Sequence, residues 1–176
     1  PRSGTTLLEQ IISSHREVLA TGENNYLSYF IKNNYMNKFK LDGKKLYRDI
    51  FSSENKIQKY YFDLLNQNKF LSNISTDKSI QNFLWIGFIK IFFPNSKIIH
   101  SYRNARDNCL SIYKNLFPLM INEKWLYDQN EMGEYYLIYH DIMKFWNKLF
   151  PNQIYNSKYE DLINNKVSKI KDLIKF

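Results

Sequence analysis

The first six residues, Pro1-Arg2-Ser3-Gly4-Thr5-Thr6, run straight into a stretch of helical period, and this junction constrains the fold of the 176-residue sequence more than any other feature. Thr5 to Ser14 reads as a helix with Leu7, Leu8, Ile11 and Ile12 on one stripe. Gly4 permits a tight backbone turn ahead of that helix, and the amides at a helix start form a cradle for an anion. Arg2 and the hydroxyls of Thr5 and Thr6 add donors at the same point. Such a loop is fed by a β-strand, so a strand is expected before Pro1, and the chain is read as truncated at both ends.

Beyond the first helix, stretches of helical and extended character succeed one another. Asn24 to about Asn37 and Gly43 to Asn68 are expected to be helical, with breaks near Asp42-Gly43 and Ser52-Ser53. Phe70–Ser75 is a short predicted strand ending in Thr76-Asp77-Lys78. Ile80–Phe93 is a helix apolar nearly all round, hence buried, and Pro94-Asn95 ends it. Lys97–Tyr102 is the next strand, Asn104–Phe117 the next helix, and Pro118–Asn130 a surface loop. Glu131–Phe150 carries Met132, Tyr135, Tyr136, Tyr139, Met143, Trp146 and Phe150 at helical spacing, a stripe that reads as core. Ile154–Lys158 is a further strand, with helix from Tyr159 onward. Strand and helix in alternation predict an α/β fold with a parallel sheet flanked by helices. Residues 1–176 are read as one incomplete domain, its first strand and C-terminal closing segment missing.

Composition narrows the field. Hydrophobic residues make up 44% of the chain, with 14 Tyr and 13 Phe, enough for a real core. The longest apolar runs, such as Phe83–Ile89, are too short to cross a bilayer. A single cysteine, Cys109, excludes an internal disulfide and a cysteine metal cluster, and it fits a reducing, cytoplasmic setting. The net charge of +8 suits an anionic ligand, although Lys, Asn, Ile, Tyr and Phe abound together as an AT-rich coding sequence would produce. A nucleic-acid binder would stripe its basic residues. Here they are scattered from Lys32 to Lys175, and no nucleic-acid motif appears.

The opening loop lacks the Gly-Lys-Ser/Thr of a Walker A motif, which argues against an ordinary magnesium-dependent nucleotidase or a nucleotide kinase. Its bland alternative is a capped turn. A second motif is Lys97-Ile98-Ile99-His100-Ser101-Tyr102-Arg103, followed by Asn104-Ala105-Arg106-Asp107-Asn108-Cys109-Leu110-Ser111. Arg103 stands at the C-terminal end of a predicted strand, where open α/β sheets bind ligands. Ser111 lies about two helical turns on, on roughly the same face. Arg and Ser so placed can grip one phosphate. The plain alternative is a capping ion pair from Arg103 or Arg106 to Asp107.

Taken in order, Pro1 to Ile11 with His15 and Glu23, then Thr76-Asp77-Lys78, Phe93-Pro94-Asn95, Ile98 to Arg103, and Lys158-Tyr159-Glu160-Asp161-Leu162 resemble the sulfotransferases. The Golgi tyrosylprotein sulfotransferases and the bacterial enzymes carrying tetratricopeptide repeats are the most similar in pattern. The resemblance runs from Pro1 to about Ile163. It implies a P-loop-like α/β core, 3′-phosphoadenosine 5′-phosphosulfate (PAPS) as donor, no metal, and a hydroxylated acceptor: a protein tyrosine, a carbohydrate or a small molecule. By position it places Arg2, Ser3, Gly4, Thr5 and Thr6 on the 5′-phosphosulfate, Arg103 and Ser111 on the 3′-phosphate, and Tyr159 near the adenine. Glu23 matches the carboxylate base, and Lys78 the lysine at the bridging oxygen, with Arg2 adding charge to the catalytic set. The family has a further basic residue near position 115, where this chain has Asn115 beside Lys114. His15 and His100 compete with Glu23 as base; His15 otherwise reads as a helix end, His100 as a packed strand position and His140 as structural. Asp77 could simply neutralise Lys78. The segments Asn24–Asn68 and Pro118–Glu131 are expected to line the acceptor side. A catalytically inactive nucleotide-binding module and a kinase-like P-loop protein are the remaining alternatives.

Overall fold

The computed structural model describes residues 1–36, 48, 50, 52, 54–67, 74–115, 117 and 123–176. The chain divides into two compact units, one of Pro1–Ile12 with Lys97–Phe176 and the other of Ser13–Ser96.

In the first unit, helix α1 (Thr5–Ser13) begins directly after the opening loop. The unit holds a parallel pair of strands, with Ile98 opposite Ile154 and Tyr102 opposite Lys158. Leu8 is buried with Leu162 and Leu173, and Leu7, Ile11, Ile12 and Ile99 close around them. The stripe legible on α1 is therefore the stripe that packs. A neighbouring cluster sets Ile112, Leu126 and Met132 together, with Cys109 against them as a small core residue.

The second unit holds the strands β1 (Val18–Ala20) and β2 (Ile74–Thr76), which pair in parallel with Val18 opposite Ile74 and Ala20 opposite Thr76. Its helices are α2 (Tyr26–Ile31), continued by a π-helical turn at Lys32–Met36, then α3 (Glu54–Gln67) and α4 (Ile86–Phe92). Ile80–Trp85 forms a 3₁₀ stretch leading into α4, so the predicted Ile80–Phe93 helix changes pitch midway. Leu27, Phe30, Ile31, Tyr35, Ile57, Trp85 and Phe92 form the core, with Tyr35 stacked on Phe88 and Phe92. The Trp85 indole finds its hydrogen-bond partner in Ser28 Oγ at 3.2 Å, as a buried indole N–H requires.

The remaining elements belong to the first unit: β3 (Ile98–Tyr102), α5 (Ala105–Tyr113), α6 (Gln129–Leu149), β4 (Ile154–Lys158), α7 (Tyr159–Asn164) and α8 (Lys166–Lys175). Asn104 caps α5 through the amides of Arg106 and Asp107, and Asp128 caps α6 through Asn130 and Glu131. Both helices thus start where a short polar side chain can take two orphan amides. Met132 and Met143 carry the buried face of α6, and Tyr135 stacks on Trp125 with centroids 3.9 Å apart. The fold is α/β, with parallel strands flanked by helices. Residues 37–47, 68–73 and 118–122, within the expected helix, strand and loop segments, lie outside the described residues.

Candidate functional site

The opening loop is held by its carbonyls. Asn108 Nδ2 donates to Pro1 O at 2.9 Å, Ser101 Oγ donates to Ser3 O at 2.6 Å, and Leu8 N–H donates to Gly4 O at 3.1 Å. Since that last bond is the first of α1, the amides of Gly4, Thr5 and Thr6 are left uncommitted by the helix itself. Arg2 and Gly4 both sit at positive φ, +61° and +89°. The position suits glycine, whereas Arg2 adopts it against the usual steric preference.

Arg103, immediately after β3, stacks its guanidinium over the Tyr159 ring, 5.1 Å from the centroid. Asp107, one turn on, lies 3.8 Å from Arg103 Nη2. The capping ion pair considered from the sequence therefore forms, but it is part-exposed and leaves Arg103 Nε buried with no hydrogen-bond partner among the described residues. A buried guanidinium N–H in that state is costly unless an acceptor arrives. Tyr159 opens α7 and lies against Gly4, while its neighbour Glu160 accepts the Asn104 N–H at 2.9 Å. That backbone bond holds the Glu160 carboxyl below the usual carboxylate range.

Ser111 accepts a hydrogen bond from Arg2 Nε at 3.1 Å. Asn115 turns its side-chain amide back onto Ser111 O at 2.5 Å, and Lys114 is exposed at the C-cap of α5. The structure thus gathers Arg2, Ser3, Gly4, Thr5, Thr6, Arg103, Ser111 and Tyr159 in the first unit.

Glu23 and Lys78 belong to the second unit, at the ends of β1 and β2. The two strand ends are tied by a short hydrogen bond from Thr21 Oγ1 to Thr76 O and by Lys78 N–H to Gly22 O at 3.0 Å. This brings Lys78 Nζ to 3.7 Å from Glu23 Oε1. Asp77 is engaged elsewhere. It accepts from Ser79 N–H at 2.9 Å, Ser79 Oγ at 2.6 Å and the Tyr61 hydroxyl at 3.1 Å. Burial, followed by the Asp77 charge, holds the Tyr61 hydroxyl protonated far above its ordinary range. So the partner of Lys78 is Glu23, two residues past Thr21, and Asp77 instead shapes the turn.

The histidines have other duties. His15 Nδ1 accepts the Glu17 N–H at 3.3 Å at the end of α1. His100 bridges Asn156 Oδ1 at 2.8 Å and the Tyr139 hydroxyl at 2.5 Å, a network of β3, β4 and α6. His140 is mostly exposed beside Asp141, a surface position and not a packed one. Among the described residues no group of His, Cys, Asp and Glu is placed to hold a metal ion, and no helix is long and apolar enough to cross a membrane.

The first unit thus holds a glycine loop at a helix start, two guanidinium groups and an aromatic ring, an arrangement that can take an anion. The sulfotransferase family model matches residues 1–176. The chain belongs to the sulfotransferase family. With the family comes its P-loop-like α/β fold. The chain is also similar to an uncharacterized protein of Aquifex aeolicus (strain VF5), 31% identical over 186 residues. That match covers all of this chain and 24% of the Aquifex protein, so the chain spans about a quarter of the length of its curated relative. No solved structure matches the chain. Of the residues tying down the sulfotransferase loop, Ser101 and Asn108 escaped the sequence reading. Their signal was only that both stand in the motif around Arg103.

Proposed function

We propose that residues 1–176 form a sulfotransferase domain that moves a sulfuryl group from PAPS to an acceptor hydroxyl. The observation that carries this reading is the first unit's anion site: a glycine turn with uncommitted helix-start amides, beside Arg103, whose buried Nε lacks an acceptor. The sequence pattern resembles the tyrosylprotein and tetratricopeptide-repeat enzymes, and the acceptor in this reading is a protein tyrosine, a carbohydrate or a small hydroxylated molecule.

In this reading Arg2 to Thr6 bind the 5′-phosphosulfate, Arg103 and Ser111 the 3′-phosphate, and Tyr159 offers its ring to the adenine. The reaction is an in-line displacement. The acceptor oxygen forms a bond to sulfur, the bond from sulfur to the bridging phosphate oxygen breaks, and the acceptor proton goes to the Glu23 carboxylate. The products are a sulfate ester and adenosine 3′,5′-bisphosphate. A positioned base contributes about 10²–10⁴-fold to such a step. Lys78 meets the charge that builds on the leaving oxygen, and its ion pair with Glu23 fixes where the carboxylate stands.

The test is calorimetric binding of adenosine 3′,5′-bisphosphate to the intact protein, followed by transfer from sulfur-labelled PAPS with excess EDTA present. Binding and chelator-resistant transfer are expected. No heat of binding would end the nucleotide assignment, and transfer that returns only with magnesium would favour the kinase-like alternative.

A further inference from the structure

The turn after β2 is tied to α3 and to the start of α2 by one chain of hydrogen bonds. Asp77 Oδ2 accepts from the Tyr61 hydroxyl of α3 at 3.1 Å, while Oδ1 accepts from Ser79 N–H at 2.9 Å and Ser79 Oγ at 2.6 Å. Ser79 Oγ in turn accepts the Asn25 N–H at 2.9 Å. An amide N–H only donates, so the proton of the buried Ser79 hydroxyl is left for Asp77. Asn25 stands at the N-cap of α2 with a left-handed φ of +56°, and its own side chain makes no capping bond. Such a conformation persists where the surroundings enforce it, and here Ser79 holds the amide. Tyr26, the next residue, meets the Tyr61 ring edge-on at 6.2 Å, so α3 braces this segment a second time.

The chain of bonds brackets both members of the ion pair. Lys78 lies between Asp77 and Ser79. Glu23 lies between Asn25 and Gly22, whose carbonyl takes the Lys78 N–H at 3.0 Å. The backbone under the 3.7 Å contact of Lys78 Nζ with Glu23 Oε1 is thereby fixed on both flanks. We infer that Asp77 and Ser79 are positioning residues for the proposed sulfuryl transfer: with Tyr61 and Asn25 they hold Glu23 where it takes the acceptor proton and Lys78 where it meets the leaving oxygen. This rests on the proposed reading of Glu23 as base and deepens it. A reacting group misplaced by about 1 Å can lose about 100-fold in rate. All six residues belong to the second unit, whereas nucleotide binding is proposed for the first, so the network should govern kcat and spare nucleotide affinity.

The experiment follows sulfur label from PAPS to 4-nitrophenol, a plain phenol acceptor, and to water, on the intact protein. It compares the wild type with Ser79→Ala, Asp77→Ala, Asp77→Asn and Glu23→Gln, and with Ser79→Ala combined with Glu23→Gln. Circular dichroism and melting curves show that each is folded, and calorimetry gives the affinity for adenosine 3′,5′-bisphosphate. Ser79→Ala and Asp77→Ala should lower kcat by about 10- to 100-fold while the KM for PAPS and the nucleotide affinity stay within about twofold. Asp77→Asn should recover most of the loss, because its carbonyl still accepts from Ser79 and its amide can donate to the Tyr61 hydroxyl. In the Glu23→Gln background Ser79→Ala should change the remaining turnover by less than about twofold, since the group it positions is already gone. If Ser79→Ala does not fold, Tyr61→Phe, which removes one hydroxyl at the outer end of the network, carries the same cycle. Equal losses in both backgrounds, or losses matched by weaker nucleotide binding, would mark general structural damage and overturn the inference. So would Ser79→Ala and Asp77→Ala variants that turn over like the wild type. A wild type that moves no label, or a Glu23→Gln variant as fast as the wild type, would instead remove the base reading itself, and the inference with it.

Discussion

A Cβ on Gly4 would stand 2.5 Å from Cδ2 of the Tyr159 ring, closer than any real pair of carbon atoms packs. The same ring carries the Arg103 guanidinium on it. The loop glycine is therefore required twice, once for its positive φ and once for the space that Tyr159 fills. This links the opening loop to the start of α7, two segments more than 150 residues apart in the sequence.

Gly4→Ala should lower stability by about 2 kcal/mol or more, from left-handed strain and overpacking together. Urea unfolding at constant slope would measure it. Adding Tyr159→Ala should recover the overpacking part only, because the backbone strain persists. A Gly4→Ala midpoint equal to that of the wild type would show that the ring does not lie on the loop.

Glu23→Gln should cut turnover by about 10²-fold or more while nucleotide affinity stays near normal. Lys78→Ala should cut it by about 10²–10³-fold if the lysine acts like a single oxyanion donor. Neither change should cost much stability, since a part-exposed ion pair is worth about 1 kcal/mol or less. Steady-state kinetics beside a melting curve separates the two effects. The assignment of the base fails if His15→Ala or His100→Ala abolishes turnover and Glu23→Gln does not.

The sequence made the periodic elements legible because they are long enough to show a period. The α1 stripe of Leu7, Leu8, Ile11 and Ile12 packs as read, and α6 departs from its expected bounds by two residues at the start and one at the end. Strand β1 went unread: Val18-Leu19-Ala20 is too short for alternation, and its pairing with Ile74–Thr76 is decided by contacts far along the chain. The change of pitch at Trp85 was hidden for a related reason, since 3₁₀ and α turns share an apolar composition. At the candidate site, residue types could be read but pairings could not. Asp77 stands next to Lys78, yet Glu23 makes the ion pair, because Ser79 and Tyr61 claim the Asp77 oxygens. Arg2 is likewise a loop residue whose side chain belongs to Ser111, a relation carried by tertiary structure alone.

His100 shows what such a pairing implies for pH. Asn156 Nδ2 donates to Asn147 Oδ1 at 2.8 Å, which turns Asn156 Oδ1 toward the imidazole as an acceptor. Nδ1 of His100 therefore carries the proton, and Nε2 accepts from the Tyr139 hydroxyl, which burial keeps protonated. Protonating Nε2 would require the Tyr139 hydroxyl to turn and accept instead of donate. Desolvation lowers the His100 pKa below its ordinary value, the Asn156 bond opposes that shift, and the nearby His140 adds to it. Tyr102 and Tyr139 are its aromatic neighbours on β3 and α6. Above about pH 6.5 the ring is neutral in the folded and unfolded chains alike, so it contributes no pH dependence there. Below that value the unfolded chain takes up a proton that the folded chain resists. Stability should therefore fall as pH drops from about 6.5 to the folded pKa and then level off. His100→Gln, which cannot titrate, should lose this component, so the gap between the two stability curves should narrow as pH falls from about 8 to about 5. Urea midpoints at several pH values would give both curves. Curves that stay parallel over that range would mean that His100 takes up its proton equally well folded and unfolded, and the network would lose its pH role.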